Sequence, residues 1–298
     1  MSFLDQAERL RRLAAQRKSP ILKTPRRTRV ITITSGKGGV GKTNFVVNLA
    51  IALSKFGKRV YILDADLGLA NADVVLGMVP RYNLLDVVQK KKTLAEIAVA
   101  GPAGITLLPG GSGLAELADL AEAEREALIE ELIQLEGLAD ILLIDTGAGL
   151  SRTVLSFVAA ADEMFVVTTP EPTAMRDAYG VIKVAAQQHS QKKISVIVNM
   201  VKDAREGREI AERLLTVSRR FLQIDLKFLG SIRADEQVMA AVKKQQPFML
   251  LFPRSRAAEN IQEIAGALLE LPKEKPRGLA KFFSRLTRLW ENETRSLV

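Results

Sequence analysis

The sequence predicts an α/β fold: a doubly wound, mostly parallel sheet with helices on both faces, and a short helix appended at each end. Three observations carry this. Apolar runs of strand length alternate with helical periods from residue 30 onward. Most of these runs are continuously apolar, as strands covered on both faces are. A glycine-rich turn separates the first strand from the first helix, at the carboxyl end where such sheets bind ligands.

Strands are expected over 30–34, 60–64, 105–109, 140–145, 164–169, 194–199 and 226–230. Helices are expected between them, over 43–56, 124–136, 151–160, 174–188, 206–222, 235–244 and 254–270. Pro20 and Pro25 set off an N-terminal segment, and Pro272 and Pro276 a C-terminal one. The division is therefore 1–29, a body over 30–271, and 272–298. The run Phe248–Phe252 reads as packed core, and Lys90–Lys92 as a solvated loop.

Composition narrows the chemistry. With 298 residues and 47% hydrophobic, the chain has ample material for a core. It has no Cys, which excludes disulfides, thiolate nucleophiles and zinc–thiolate or iron–sulfur sites. The single His, His189, reads as a helix-end residue. No apolar run approaches a membrane span, and the polar N-terminus does not read as a secretory signal, so a cytoplasmic protein is expected. The net charge of +9 divides into +7 for residues 1–29, +4 for 272–298 and −2 for the body. Basicity confined to the tails argues against a DNA-binding body and leaves an anionic membrane surface or an acidic partner.

Gly36-Lys37-Gly38-Gly39-Val40-Gly41-Lys42-Thr43 fits G-x-x-x-x-G-K-[ST] between a strand and a helix. Glycines let successive N–H groups turn toward phosphate oxygens, and the helix N-terminus adds its dipole. Lys42 is placed to reach the β- and γ-phosphates and the Thr43 hydroxyl to ligate Mg²⁺, with Asn44 beside them. Two carboxylate-bearing strand ends join this turn, Asp64-Ala65-Asp66 and Asp145.

The second lysine, Lys37, gives the motif the form KGGVGKT. In this the sequence resembles the deviant Walker A ATPases of the MinD/ParA family. The resemblance implies a P-loop NTPase fold, ATP and ADP as nucleotides, and an ATP-bound homodimer in which Lys37 reaches the partner's nucleotide. It implies that Asp66 orients the attacking water, that Asp64 supports the Mg²⁺ shell, and that Asp145 is the Walker B carboxylate. Gly147, in Thr146–Gly149, falls where the second switch contacts the γ-phosphate. Thr169–Asp177 resembles the segment after the next strand. Asn199 falls at the adenine-contacting position, and Arg233 where the family closes over the base, although the family's Pro near Arg233 is absent here.

The two ends carry further patterns. Leu279, Phe282, Phe283, Leu286, Leu289 and Trp290 form one helical stripe flanked by Lys281, Arg285 and Arg288. Bulky apolar residues with a basic flank fit an interfacial membrane helix, and a helix packed on its own body fits the same pattern. MinD ATPases end in a membrane-targeting helix, which implies peripheral binding to anionic lipids of the inner membrane face. At the other end, Asp5-Gln6-Ala7-Glu8-Arg9-Leu10-Arg11 resembles the DQAxxLR motif of flagellar, FlhG-type members. This resemblance implies control of flagellar placement and number, and contacts with the FlhF GTPase and with flagellar switch-complex proteins. Asp5, Gln6, Ala7, Leu10 and Arg11 are the implied FlhF contacts. A cell-division MinD is the rival reading, and a ParA-type DNA-segregation ATPase a more distant one; no sequence-specific nucleic acid is expected.

Overall fold

The structure is a computed structural model that describes residues 27–66, 71–110, 131, 133, 135–188, 193–270 and 278–295. The Asp5–Arg11 motif, His189 and most of the helix expected over 124–136 lie outside the described residues.

Among the described residues, eight strands form one sheet in the order β3-β4-β2-β5-β1-β6-β7-β8. They are β1 (Arg29–Ser35), β2 (Val60–Ala65), β3 (Val99–Ala100), β4 (Thr106–Leu108), β5 (Ile141–Ala148), β6 (Glu163–Thr168), β7 (Lys193–Val201) and β8 (Lys227–Arg233). All pairings are parallel except β3 on β4. The order reverses at β1, which lies between β5 and β6, so the crevice for a ligand opens at its carboxyl end.

Continuous apolar strands fit this sheet because each feeds two cores. Ile31 and Ile33 of β1 and Ile141 and Leu143 of β5 face one side. Val30, Leu142 and Ile144 face the other. The first side is covered by α1 (Lys42–Lys55), α2 (Ala72–Leu76), α8 (Glu236–Lys243), α9 (Phe248–Leu251) and α10 (Arg256–Glu270). On the second side lie α3 (Leu84–Val88), α4 (Leu94–Ile97), α5 (Arg152–Ala160), α6 (Pro172–Gln188), α7 (Ala204–Leu222) and α11 (Leu279–Arg295).

Four short helices and strand β3 were not expected from periodicity. Helices of four or five residues complete too little of a turn pattern to be read that way. Their starts are legible instead. Asn83 with Asp86, and Thr93 with Glu96, form reciprocal capping boxes that open α3 and α4. Phe248 and Met249 are buried as expected, whereas Leu250 is exposed.

The described part of the C-terminal stripe is turned inward; the Trp290 side chain lies outside the described residues. Leu279, Phe282, Phe283 and Leu286 are buried in the second core, and Leu289 is half-buried. Phe282 stacks on Phe157 of α5 with centroids 6.4 Å apart, and lies edge-on to Phe283 at 4.8 Å. Residues expected to face a membrane therefore complete the body's own core in this conformation. Phe282→Ala should lower folding stability by about 3 kcal/mol, as truncation of a buried phenyl ring does. Urea denaturation reads this as a lower midpoint; an unshifted midpoint would show that α11 contributes nothing to the core.

Candidate functional site

The glycine-rich turn lies between β1 and α1, at the carboxyl end of the central strand. Its glycines have different jobs. Gly39 and Gly41 have φ of 80° and 83°, a backbone region that favours glycine. Gly36 is needed for a different reason: a Cβ there would overlap the α6 backbone at Asp177 and Ala178. The first glycine thus serves close packing of the loop on α6. Helix α1 starts at Lys42 after Gly41 with no side-chain cap, so its first N–H groups are available to an anion.

Lys42 and Asp145 form a buried ion pair, Nζ to Oδ1 2.5 Å, with side chains 7% and 1% exposed. The Thr43 side chain lies beside the same carboxylate and favours its charged form. Asp145 Oδ2 is buried without a hydrogen-bond partner. Burial raises the Asp145 pKa, Lys42 and Thr43 oppose that, and Asp66 adds to it.

The register of β2 on β5 sets Asp64 directly opposite Asp145. Asp64 is pushed up to about 6, first by burial and then by the neighbouring Asp145 charge. Its carboxylate is engaged by backbone N–H groups: Oδ1 accepts from Asp66 at 3.2 Å, and Oδ2 from Asn71 and Ala72 at 3.0 Å each. Asp64 thus holds the backbone that follows β2 with both of its oxygens. It fastens both ends of the 66–72 loop, which carries Asp66. A Cβ built on Gly147 would lie 3.5 Å from Asp66 Oδ1, so the two expected switch points adjoin.

Lys37 does not point at empty space. Its ammonium donates to Glu171 Oε2 at 2.7 Å and to Thr173 Oγ1 at 3.3 Å. Neither acceptor was singled out from the sequence; the available signal was their place just past the carboxyl end of β6. Asn199 supports the loop: Nδ2 donates to the Val40 carbonyl at 2.8 Å, and Oδ1 accepts from Met200 N–H at 2.9 Å. The expected adenine-contacting amide is thus bound to the P-loop here. Arg233 takes its backbone N–H to Asn260 Oδ1 at 3.2 Å, and its Nε is buried without a partner. The structure brings Lys37, Lys42, Thr43, Asp64, Asp66, Asp145, Gly147 and Asn199 around one loop. Leu279, Phe282, Phe283 and Leu286 lie apart from it, in the core behind β1, β2 and β5.

A P-loop at the sheet's reversal point, with a buried lysine–aspartate pair and a second aspartate beside it, defines a nucleotide-binding protein of the doubly wound class. The profile of the CobQ/CobB/MinD/ParA nucleotide binding domain matches residues 31–248. The chain is 41% identical over 255 residues to the antiactivator FleN of Pseudomonas aeruginosa, covering 85% of this chain and 91% of that protein. It is 37% identical over 271 residues to the flagellum site-determining protein YlxH of Helicobacter pylori, covering 87% and 90%. Among solved structures, the septum site-determining protein MinD of Pyrococcus horikoshii with Mg-ADP superposes with a TM-score of 0.67 at 26% identity, over 82% of this chain and 97% of that one. The chain therefore belongs to the MinD/ParA family of nucleotide-binding proteins, and within it to the FlhG-type MinD-like ATPases.

The raised Asp64 pKa has a stability consequence of definite sign. A carboxyl group whose folded pKa lies above its unfolded value binds protons more strongly when folded. Its contribution is fully present below about pH 4 and is lost as pH rises through about 6. A shift from 3.8 to about 6 corresponds to about 3 kcal/mol. Asp64→Asn, which keeps one acceptor oxygen for the loop, should flatten the pH dependence of stability between pH 4 and 7. Unfolding midpoints of both proteins across that range measure this, and equal slopes would contradict it.

Proposed function

We propose that the chain is a Mg²⁺-dependent ATPase that dimerises on ATP and regulates flagellar placement and number from the cytoplasmic face of the membrane. The observation that carries this reading is the gathering of Lys42, Thr43, Asp145, Asp64 and Asp66 at the carboxyl ends of β1, β2 and β5, with Lys37 beside them. The flagellum site-determining relative and the antiactivator relative support the biological assignment.

The reaction is ATP and water to ADP and phosphate. Glycine-loop N–H groups and the α1 N-terminus bind the phosphates. Lys42 exchanges Asp145 for phosphate oxygens when nucleotide enters. Thr43 Oγ1 and the unpartnered Asp145 Oδ2 fit a hard cation, directly or through water. Mg²⁺ held by these residues would supply positive charge against the phosphate oxygens. Asp66 orients the attacking water, and Asp64 acts by fixing the loop that carries Asp66. Gly147 N–H senses the γ-phosphate. Lys37 leaves Glu171 and reaches the partner's nucleotide, a modest loss because exposed ion pairs contribute little. Arg233 and Asn199 line the base side, with Asn199 exchanging Val40 for the base.

Membrane binding requires α11 to leave its groove. Four side chains buried almost completely cost about 6–12 kcal/mol to expose, as an upper bound. One interfacial helix binds reversibly and weakly, so a monomer keeps it docked. Two helices on one ATP dimer gain roughly 10²–10⁴-fold by avidity, and three cations on each favour anionic lipid. The 1–29 segment supplies the remaining partner contact, through Asp5–Arg11, to FlhF, and switch-complex proteins complete the partner set. Septum placement and DNA segregation are weaker readings, since the 1–29 segment and the −2 body have no use in them.

Asp66→Ala should bind ATP, lose at least tenfold in hydrolysis rate (about 1.4 kcal/mol or more) and accumulate as a dimer. Sedimentation at saturating ATP and Mg²⁺ tests this, and a monomer would defeat the switch reading. A peptide of residues 1–20 should raise GTP hydrolysis by FlhF without the ATPase body. If peptide and full chain are both inert, the FlhF contact fails and the ATPase reading stands alone.

A further inference from the structure

Glu136 connects the roots of the two tails. One carboxylate oxygen, Oε1, accepts the backbone N–H of Thr28 at 2.7 Å, one residue before β1. The other, Oε2, accepts the backbone N–H of Leu279, the first residue of α11. Thr28 is fully buried and its hydroxyl donates to the Ala139 carbonyl at 2.9 Å, which fixes the strand entry beside Glu136. On the helix side, Gly278 has φ of 83°, and a Cβ there would lie 2.8 Å from Oε2. A glycine is therefore required for α11 to start against this carboxylate. The negative group also lies at the positive end of the α11 dipole, where it stabilises a helix start. Both bonds are charge-assisted, and a carboxylate has two oxygens to give where an amide has one.

We propose that Glu136 is a shared clasp that couples the two tails: loosening the entry of the N-terminal segment weakens α11 docking, and releasing α11 loosens that entry. The coupling is reciprocal by linkage. This inference rests on the proposed roles of the tails only for its consequence. A partner that takes hold of the N-terminal segment would favour the membrane-competent form, and a membrane surface that captures α11 would favour the partner-competent one. The clasp lies at the amino end of β1, whereas the P-loop follows its carboxyl end, so Glu136 does not contact the phosphate loop directly.

Hydrogen exchange on the full chain without nucleotide tests the coupling. In the wild type, Phe282→Ala loosens α11 and should lower protection of the Thr28 amide by about tenfold, the size of one charge-assisted bond. In Glu136→Gln, which keeps the side-chain volume and one oxygen, Phe282→Ala should leave Thr28 protection unchanged. ATP binding retained by all variants shows that the body remains folded. Thr28 protection indifferent to Phe282→Ala, or an equal effect in both backgrounds, overturns the clasp. Co-sedimentation with anionic phosphatidylglycerol vesicles then separates the clasp from the membrane reading. Glu136→Ala should raise ATP-free binding about tenfold if both hold. Coupling by exchange with no vesicle binding in any nucleotide state would uphold the clasp and remove the membrane role.

Discussion

A lysine ammonium and a carboxylate buried together tolerate neither partner's loss, because the remaining charge would stand unpaired in a low-dielectric core. Lys42 and Asp145 impose that constraint on the nucleotide site. Asp145 stands at the carboxyl end of β5 and Lys42 at the first turn of α1, so the pair ties the sheet to the helix whose N-terminus must meet phosphate. The β2–β5 register adds Asp64 on the same face. Three buried charges then share one small volume, with carboxylates in excess. Burial is the main cause of the raised pKa of both aspartates, and a neighbouring carboxylate adds to it, Asp145 for Asp64 and Asp66 for Asp145. The carboxylate excess is relieved when a cation enters, which makes the nucleotide-free site a poor resting place for negative charge and a good one for a metal. The unpartnered Asp145 Oδ2 is the local expression of the same imbalance.

The C-terminal helix shows how one sequence property serves two surroundings. Large apolar residues at helical spacing with cations off the stripe meet the requirements of an interfacial helix and of a core helix alike. Periodicity reports the stripe and not what covers it. In this conformation Leu279, Phe282, Phe283 and Leu286 pack beside α5 in the core over β1, β2 and β5 to which α3 and α4 also contribute. On the proposed membrane role the two surroundings would compete for the same atoms, and docking strength would set how strong the membrane attraction must be. A weak anchor on a helix this well buried favours the docked form unless a second anchor acts with it.

Much of this was legible beforehand, for identifiable reasons. The strands were readable because both faces are covered, and the loop because phosphate binding restricts residue type at four of its eight positions. The paired aspartates were readable because each ends a strand. The parts that were not readable depend on register or on contacts distant in sequence. That Gly36 packs on α6, that Asn199 holds Val40, that Lys37 rests on Glu171, and that Glu136 meets both Thr28 and Leu279 all join residues more than a hundred positions apart. No local pattern encodes them. The backbone partners of Asp64 were unreadable for a related reason: its three N–H donors are Asp66, Asn71 and Ala72, whose placement the spacing does not specify.

Helix α5 joins the chemistry to the tail. It begins at Arg152, three residues after Gly149 and just beyond the β5 end that carries Asp145 and Gly147, and its Phe157 stacks on Phe282 of α11. Ser151 caps its start through the Val154 N–H, so the β5 end and the first turn of α5 are tied together by a short connection. Well-packed interiors transmit displacement because they have few voids to absorb it. A shift of the Gly147 backbone toward a γ-phosphate therefore has a direct route to the phenyl ring that holds α11. Glu136 holds the same helix at its first residue, from the opposite end of the sheet. The docked helix is thus held at two places, by packing on Phe157 and by the Glu136 hydrogen bond at its first residue. Weakening either restraint favours release, and the energies differ in kind: burial responds to an apolar phase, while the carboxylate bond responds to whatever competes for the backbone at residue 28.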